Sequence, residues 1–251
     1  MTSEPIPAAT LVIFRDAVAG PPELLLVERA KAMVFAGGAL VFPGGRIDPG
    51  DVALATSMSA PDDDDAAAAI AAIRETIEEA GLPIGLSPPP TLEALARLRR
   101  DLHAGQPLAQ ALETARTTLD LTALQPFARW LPAHAHMRIF DTRFYLARLP
   151  DDAPSATVDR TENVRLLWAT AAQVLADADA GRVTIIYPTR RNLERLARYA
   201  SFAEAVADAR AHPIRTITPH IEERDGVPHL CIPDDLGYPV TAEAMSSATR
   251  G

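Results

Sequence analysis

The stretch Arg74-Glu75-Thr76-Ile77-Glu78-Glu79-Ala80-Gly81-Leu82 (RETIEEAGL) closes the run DDDDAAAAIAAIRETIEEAGL, residues 62–82. Its alanine content and the stopping Gly81 predict a helix, with Asp64 or Asp65 as cap. At about 100° per residue, Glu75, Glu78 and Glu79 share one narrow face, while Ile70, Ile73 and Ile77 fall near the opposite side. Three carboxylates thus gather at the helix end that is already negative. An exposed carboxylate there costs about 0.3–1 kcal/mol. Repulsion between Glu75 and Glu79 at i,i+4 adds about a few tenths, and an Arg74–Glu78 pair offsets only part of it. Two readings compete. One is a solvated acidic face, since glutamate is a good helix former. The other is a cluster made tolerable by a divalent cation, Mg²⁺ or Mn²⁺, which takes oxygen ligands and uses charges that otherwise repel.

The stretch VFPGGRIDPGD (41–51) lies upstream. Its paired glycines, Gly44 and Gly45, end a short strand and predict a turn that approaches a ligand closely. Such a turn can offer a carbonyl to a metal or amides to a phosphate. Taken together, the two stretches resemble the Nudix hydrolase signature, G-x5-E-x7-R-E-U-x-E-E-x-G-U with U aliphatic. Gly45, Asp51, Arg74, Glu75, Glu78, Glu79, Gly81 and Leu82 occupy its slots. Thr76 departs from the first aliphatic slot, and Asp51 stands where the family has Glu. Residues 52–73 intervene where the signature expects seven, so the gap is enlarged and should loop out. The acidic run Asp62–Asp65 reads as charge at a helix N-terminus, where the dipole favours acids. The long gap, the VFPGG entry and the later RIFDTRFYLA resemble a long-insert Nudix subgroup. That subgroup includes peroxisomal-type acyl-CoA diphosphatases and their bacterial relatives.

The resemblance implies an α/β (α+β) fold, a Nudix-type α/β/α sandwich with a mixed sheet and a helical insertion. It implies a metal-dependent diphosphatase using Mg²⁺ or Mn²⁺ on a small-molecule diphosphate. CoA or an acyl-CoA is the first candidate, giving 3′,5′-ADP and a 4′-phosphopantetheine product. The same chemistry on ADP-ribose, NADH or a nucleotide sugar is an alternative. A catalytically silent domain that senses a nucleotide is another, although three intact glutamates speak against it. By carry-over, Glu75 and Glu79 are the main metal ligands. Glu78 is a further ligand or the base that orients water, Arg74 holds a glutamate, and the carbonyl of Gly45 completes the shell. Arg29, Arg46, Arg138 and Arg143, with Gly44, are anion-binding candidates, each weighed against an ordinary surface role. The resemblance also allows a homodimer.

Composition agrees with this class. The 251 residues can bury a full core. A net charge of −9 argues against a general nucleic-acid binder. The one cysteine, Cys231, precludes an internal disulfide and reads as a core residue. MTSEPIPAAT is not a secretory signal, and no apolar run is long enough to span a membrane, so the cytoplasm is the expected location.

Along the chain, residues 1–8 read as a tail, 9–215 as the Nudix domain, and 216–251 as a C-terminal extension. Within the domain, Leu92–His103 and Pro107–Leu119 form a helical insertion, about 91–120. It either caps the substrate cleft or packs on the sheet. The loop-like stretch 46–65 allows one helical turn near Ala53. Asp225-Gly226 signals a hairpin in the extension. His134 and His136 suggest a metal pair, but a loop or surface role is favoured for want of a third ligand. Phe140 and Phe144 read as core rather than as a stacking platform.

Overall fold

The structure, a computed structural model, describes residues 4–33, 36–58, 62–132, 139–159 and 161–248. His134, His136 and Arg138 lie outside them. The chain begins with strands β1 (Ile6–Arg15), β2 (Glu23–Arg29), β3 (Ala39–Val41) and β4 (Gly44–Arg46), then helices α1 (Pro49–Ser57) and α2 (Asp63–Ala80). Next come β5 (Leu86–Ser87), α3 (Leu92–His103), α4 (Leu108–Ala115), β6 (Thr118–Leu119), β7 (Gln125–Trp130), β8 (Phe140–Arg148) and β9 (Asn163–Thr170). The rest is α5 (Ala171–Asp179), β10 (Thr184–Ile185), α6 (Tyr187–Leu196), α7 (Phe202–Ala211), β11 (Thr216–Ile217), β12 (His220–Arg224), β13 (Val227–Cys231), β14 (Ala242–Ala244) and α8 (Met245–Ala248).

A mixed sheet runs β10-β3-β2-β1-β8-β7-β11, with β4 also paired to β1 and β9 to β2. β1 lies parallel to β8 along nine residue pairs, from Ile6↔Phe140 to Phe14↔Arg148. Strand periodicity divides β1 between two cores. Ala9, Leu11 and Ile13 face α2, while Val12 and Phe14 face α5, α6 and α7. Helices therefore cover both faces of the sheet, as the resemblance implies. Ile70, Ile73 and Ile77 are fully buried against it, each contributing about 1.5–3 kcal/mol.

Four local expectations are corrected. The region near Ala53 is a nine-residue helix, not a single turn. Pro49 sits in its first turn and Asp51 Oδ2 accepts the Asp48 N–H at 2.9 Å, so the start is well determined. α2 is capped by Asp62, whose side chain accepts Asp65 N–H, not by Asp64 or Asp65. Gly44 and Gly45 lie in a strand rather than a turn, opposite Thr10 and Ala9. Finally, β1 starts at Ile6, inside the stretch read as a tail, because β8 and β4 pair with it there.

The helical insertion packs on the body. Leu95, Leu98, Leu102, Leu108, Ala111 and Leu112 extend the core around α2. In the C-terminal extension, Asp225 and Gly226 take left-handed conformations and join β12 to β13. Farther on, Ile232, Leu236 and Tyr238 enter the second core. Tyr238 Oη accepts from Trp130 Nε1 at 3.1 Å and donates to Asn192 Oδ1 at 2.7 Å. Tyr238→Phe strands both partners in a buried site and should cost about 1–3 kcal/mol. In urea unfolding the midpoint falls while the slope stays unchanged; an unshifted midpoint refutes this account of how the extension is tied down.

Candidate active site

The three glutamates are not a solvated face. The α2 helix is buried on nearly every side, and the side chains of Glu79, Glu75 and Glu78 are only 6%, 16% and 24% exposed. The sheet lies on one flank, while α1 and the insertion cover others, which a helical wheel cannot show. Thr76 is tolerated at an aliphatic position because its hydroxyl donates to the Ala72 carbonyl at 2.8 Å.

Arg74 organises the cluster. Its Nε and Nη2 engage Asp51 at 3.0–3.3 Å, and Nη2 donates to the Arg46 carbonyl at 2.8 Å. Nη1 donates to Glu75 Oε1 at 2.7 Å and reaches Glu78 Oε1 at 3.5 Å. Burial disfavours the charge on Arg74, but Asp51 and the glutamates outweigh it and hold the guanidinium more firmly protonated than usual. Asp51, shorter than the family's glutamate, is fully equal to this task from its place in α1.

Glu79 has both oxygens engaged. Oε2 accepts the Gly44 N–H at 2.9 Å and Oε1 accepts Asn163 Nδ2 at 2.9 Å. Arg29 Nη1 stands 4.0 Å from Oε1 and its Nη2 3.4 Å from Glu162. Glycine is needed at 44 for close approach of the backbone, and at 45 it leaves room for the Glu75 carboxylate. A Cβ on Gly44 would overlap the Ala9 carbonyl oxygen, and one on Gly45 would overlap the Glu75 carboxylate. Burial pushes Glu75 up to about 7, although Arg74 pulls the other way. Burial, then the charge on Glu75, pushes Glu79 up to about 8. Burial also raises Glu78.

The carbonyl end of α2 is answered from the insertion. Arg99 on α3 donates to the Glu78 carbonyl at 2.9 Å and the Glu79 carbonyl at 3.2 Å. It also holds Thr157 through Oγ1 at 2.6 Å and the carbonyl at 2.8 Å. His103 Nε2 lies 3.1 Å from the Glu78 carbonyl. A cation at a helix C-terminus is favourable, and here it is supplied from another helix.

Of the residues singled out in the sequence, Arg29, Gly44, Gly45, Arg74, Glu75, Glu78 and Glu79 come together. Arg46 joins through its carbonyl, while the residue itself is exposed. Arg143 stands apart. It lies 3.9 Å from Asp65, near the start of α2, and lines a cleft of about 340 Å³ with Arg129 and Tyr145. Three contributors escaped sequence reasoning: Asn163, Arg99 and the carboxylate of Asp51 as the Arg74 partner. Asp51 was visible as a signature slot. Asn163 and Arg99 carried no local signal, since only the fold brings them to α2.

Among the described residues, no three His, Cys, Asp or Glu side chains converge into a ready-made metal cage. Arg74, Asn163 and the Gly44 amide engage the carboxylates instead. The donor chemistry nevertheless fits a hard divalent cation: oxygen donors only, desolvated, with like charges that an ion would relieve.

The family model of the NUDT19 Nudix domain matches residues 51–196. The chain is 25% identical over 234 residues to the acyl-coenzyme A diphosphatase NUDT19 of Gallus gallus, covering 71% of this chain. It spans 62% of the length of that relative. Among solved structures, a NUDIX hydrolase from Alicyclobacillus acidocaldarius superposes with a TM-score of 0.71 at 30% identity, covering 82% of this chain and 97% of that one.

The Arg99 clamp is testable without an activity assay. Arg99→Met keeps an apolar stem but withdraws the donors from the last α2 carbonyls. It should lower stability by about 1–2 kcal/mol, or Tm by roughly 2–8 °C for a chain of this size. Amide exchange should accelerate first in the last turn of α2; uniform acceleration, or none, contradicts the clamp.

Proposed function

The chain belongs to the Nudix hydrolase family, and from that premise we propose that it is a divalent-metal-dependent diphosphatase whose substrate is coenzyme A or an acyl-coenzyme A. Nudix hydrolases act on small molecules, generally with divalent metal ions. The CoA assignment is supported by the likeness to a relative named acyl-coenzyme A diphosphatase. The metal assignment is carried by one observation. Glu75 and Glu79 are desolvated, mutually repelling carboxylates packed against a strand whose glycines leave them room.

In this reading Glu75 and Glu79 hold the ion, assisted by Glu78 and the Gly45 backbone. When bound, the ion neutralises charge on the diphosphate and acidifies a water molecule. Arg74 aims the Glu75 carboxylate, and through it Asp51 and β4 are fixed to the same frame. Glu78, the most exposed of the trio, takes the proton of the attacking water at a carboxylate oxygen. The water oxygen bonds to one phosphorus as the bridging P–O bond breaks, giving 3′,5′-ADP and a 4′-phosphopantetheine product. Arg29 and Arg46 contact the anionic substrate; the Gly44 N–H, donated to Glu79, would do so only by leaving that contact. Arg143, held near Asp65, would reach it only by leaving that contact.

The test is a panel of CoA, acetyl-CoA, ADP-ribose, NADH and nucleotide sugars, offered with Mg²⁺ or Mn²⁺ and read by product mass. CoA or acetyl-CoA should be cleaved fastest, and Glu79→Gln should lower kcat by about 10²–10³-fold or more. Preference for ADP-ribose or NADH reassigns the substrate. Binding without turnover indicates a sensor. In a separate measurement, Mn²⁺ added to chelator-treated protein at about a hundred times its Kd should raise Tm by roughly 5–10 °C. Glu75→Gln should remove that rise; an undiminished rise excludes Glu75 as a ligand.

A further inference from the structure

Asn163 opens β9 with no exposure to solvent. Its Nδ2 donates to Glu79 Oε1 at 2.9 Å, and its backbone N–H donates to Asp159 Oδ1 at 3.2 Å. Its Oδ1 is buried without a hydrogen-bond partner among the described residues. The orientation of the amide follows from chemistry: an ionised Glu79, as a ligand must be, only accepts, so the NH₂ group faces it. An asparagine so buried, with one end unanswered, is a poor choice for packing alone.

The loop before it fixes the backbone at the start of β9, from which that side chain projects. Asp159 also accepts the N–H groups of Thr161 and Glu162. Burial works against its charge, but these hydrogen bonds prevail and hold its carboxyl below the usual range. Thr157, two residues earlier, is gripped by Arg99, the same residue that binds the α2 carbonyls of Glu78 and Glu79. Glu79 is therefore fixed from its backbone through Arg99 and from its carboxylate through Asn163 and the Gly44 N–H.

We propose that Asn163 is the positioning residue that aims the Glu79 carboxylate at the divalent cation, and that its unpartnered Oδ1 accepts a hydrogen bond from the hydration shell of that ion. This rests on the reading of Glu79 as a ligand. Asn163 fixes which Glu79 oxygen is presented, while Gly44 fixes the other. Partners of this kind, which touch a ligand rather than the ion, typically set metal affinity within 10–100-fold.

The experiment measures Mn²⁺ binding to the chelator-treated full chain by electron paramagnetic resonance, with Tm recorded alongside. Asn163→Leu keeps the branched shape of the side chain and removes the donor; Asn163→Ala serves if the bulkier leucine variant does not fold. Either should weaken Mn²⁺ binding about 10–100-fold. In a Glu79→Gln background the same substitution should have no further effect, because the two residues act as one unit. A Kd within twofold of wild type, or an effect that adds fully to Glu79→Gln, overturns the proposal. If Glu79→Gln itself leaves Mn²⁺ binding intact, the ligand reading fails, and that outcome is distinguishable from failure of the Asn163 inference alone. A merely structural Asn163 would lower Tm and leave Mn²⁺ affinity unchanged.

Discussion

Arg74 is nearly buried, yet every direction its guanidinium can donate finds an acceptor. Asp51 comes from α1, the Arg46 carbonyl from β4, and Glu75 and Glu78 from its own helix. The consecutive elements β4 and α1 are thereby registered against α2 on one planar group. Removing one partner from a buried ion pair typically costs about 3–5 kcal/mol, because the other charge is left without compensation. Lysine would not substitute, since a single ammonium lacks the fixed fork of donors that reaches all of these acceptors at once. The position of Glu75 follows from this arrangement, and so does the room left between α2 and the glycine strand.

The electrostatic puzzle of three acids at a negative helix end has a distributed answer. Arg74 and Arg29 lie beside the carboxylates. Arg99 meets the carbonyls themselves. None of these restores the hydration that burial removes, which, with the charge of neighbouring glutamates, keeps Glu75 and Glu79 well above the ordinary carboxylate range. Burial and proximity both disfavour the charged forms of these two carboxylates. Stability has been conceded at this spot, as is common where chemistry takes place.

The chemistry of the site was legible where it is local. The glycine pair, the RETIEEAGL helix and its stop are contiguous patterns, and the hairpin at Asp225-Gly226 is a two-residue signal. What was not legible arises from tertiary contact. The wheel drawn for α2 assumed one buried stripe, whereas α1, α3 and the sheet enclose the helix together. Gly44 and Gly45 suggested a turn because glycine allows unusual backbone, but here the absence of a Cβ serves close packing in a strand. Asn163 and Arg99 lie 84 and 20 residues from Glu79, the residue they each bond. No window on the sequence spans that separation. Arg143 failed to join the cluster for a related reason: its strand neighbours were readable, but the presence of Asp65 at the start of α2 was not.

The enlarged gap between Asp51 and Arg74 has a wider bearing. The two residues bond as closely as neighbours although they lie 23 positions apart. The added chain extends α1 and the front of α2, and Asp62 stands about 20 Å along the helix from Glu75, at 1.5 Å per residue. Side-chain pairing, rather than the count of intervening residues, keeps the motif in register. A sequence pattern written with a rigid spacer would pass over this chain, even though Asp51 and Arg74 meet in space.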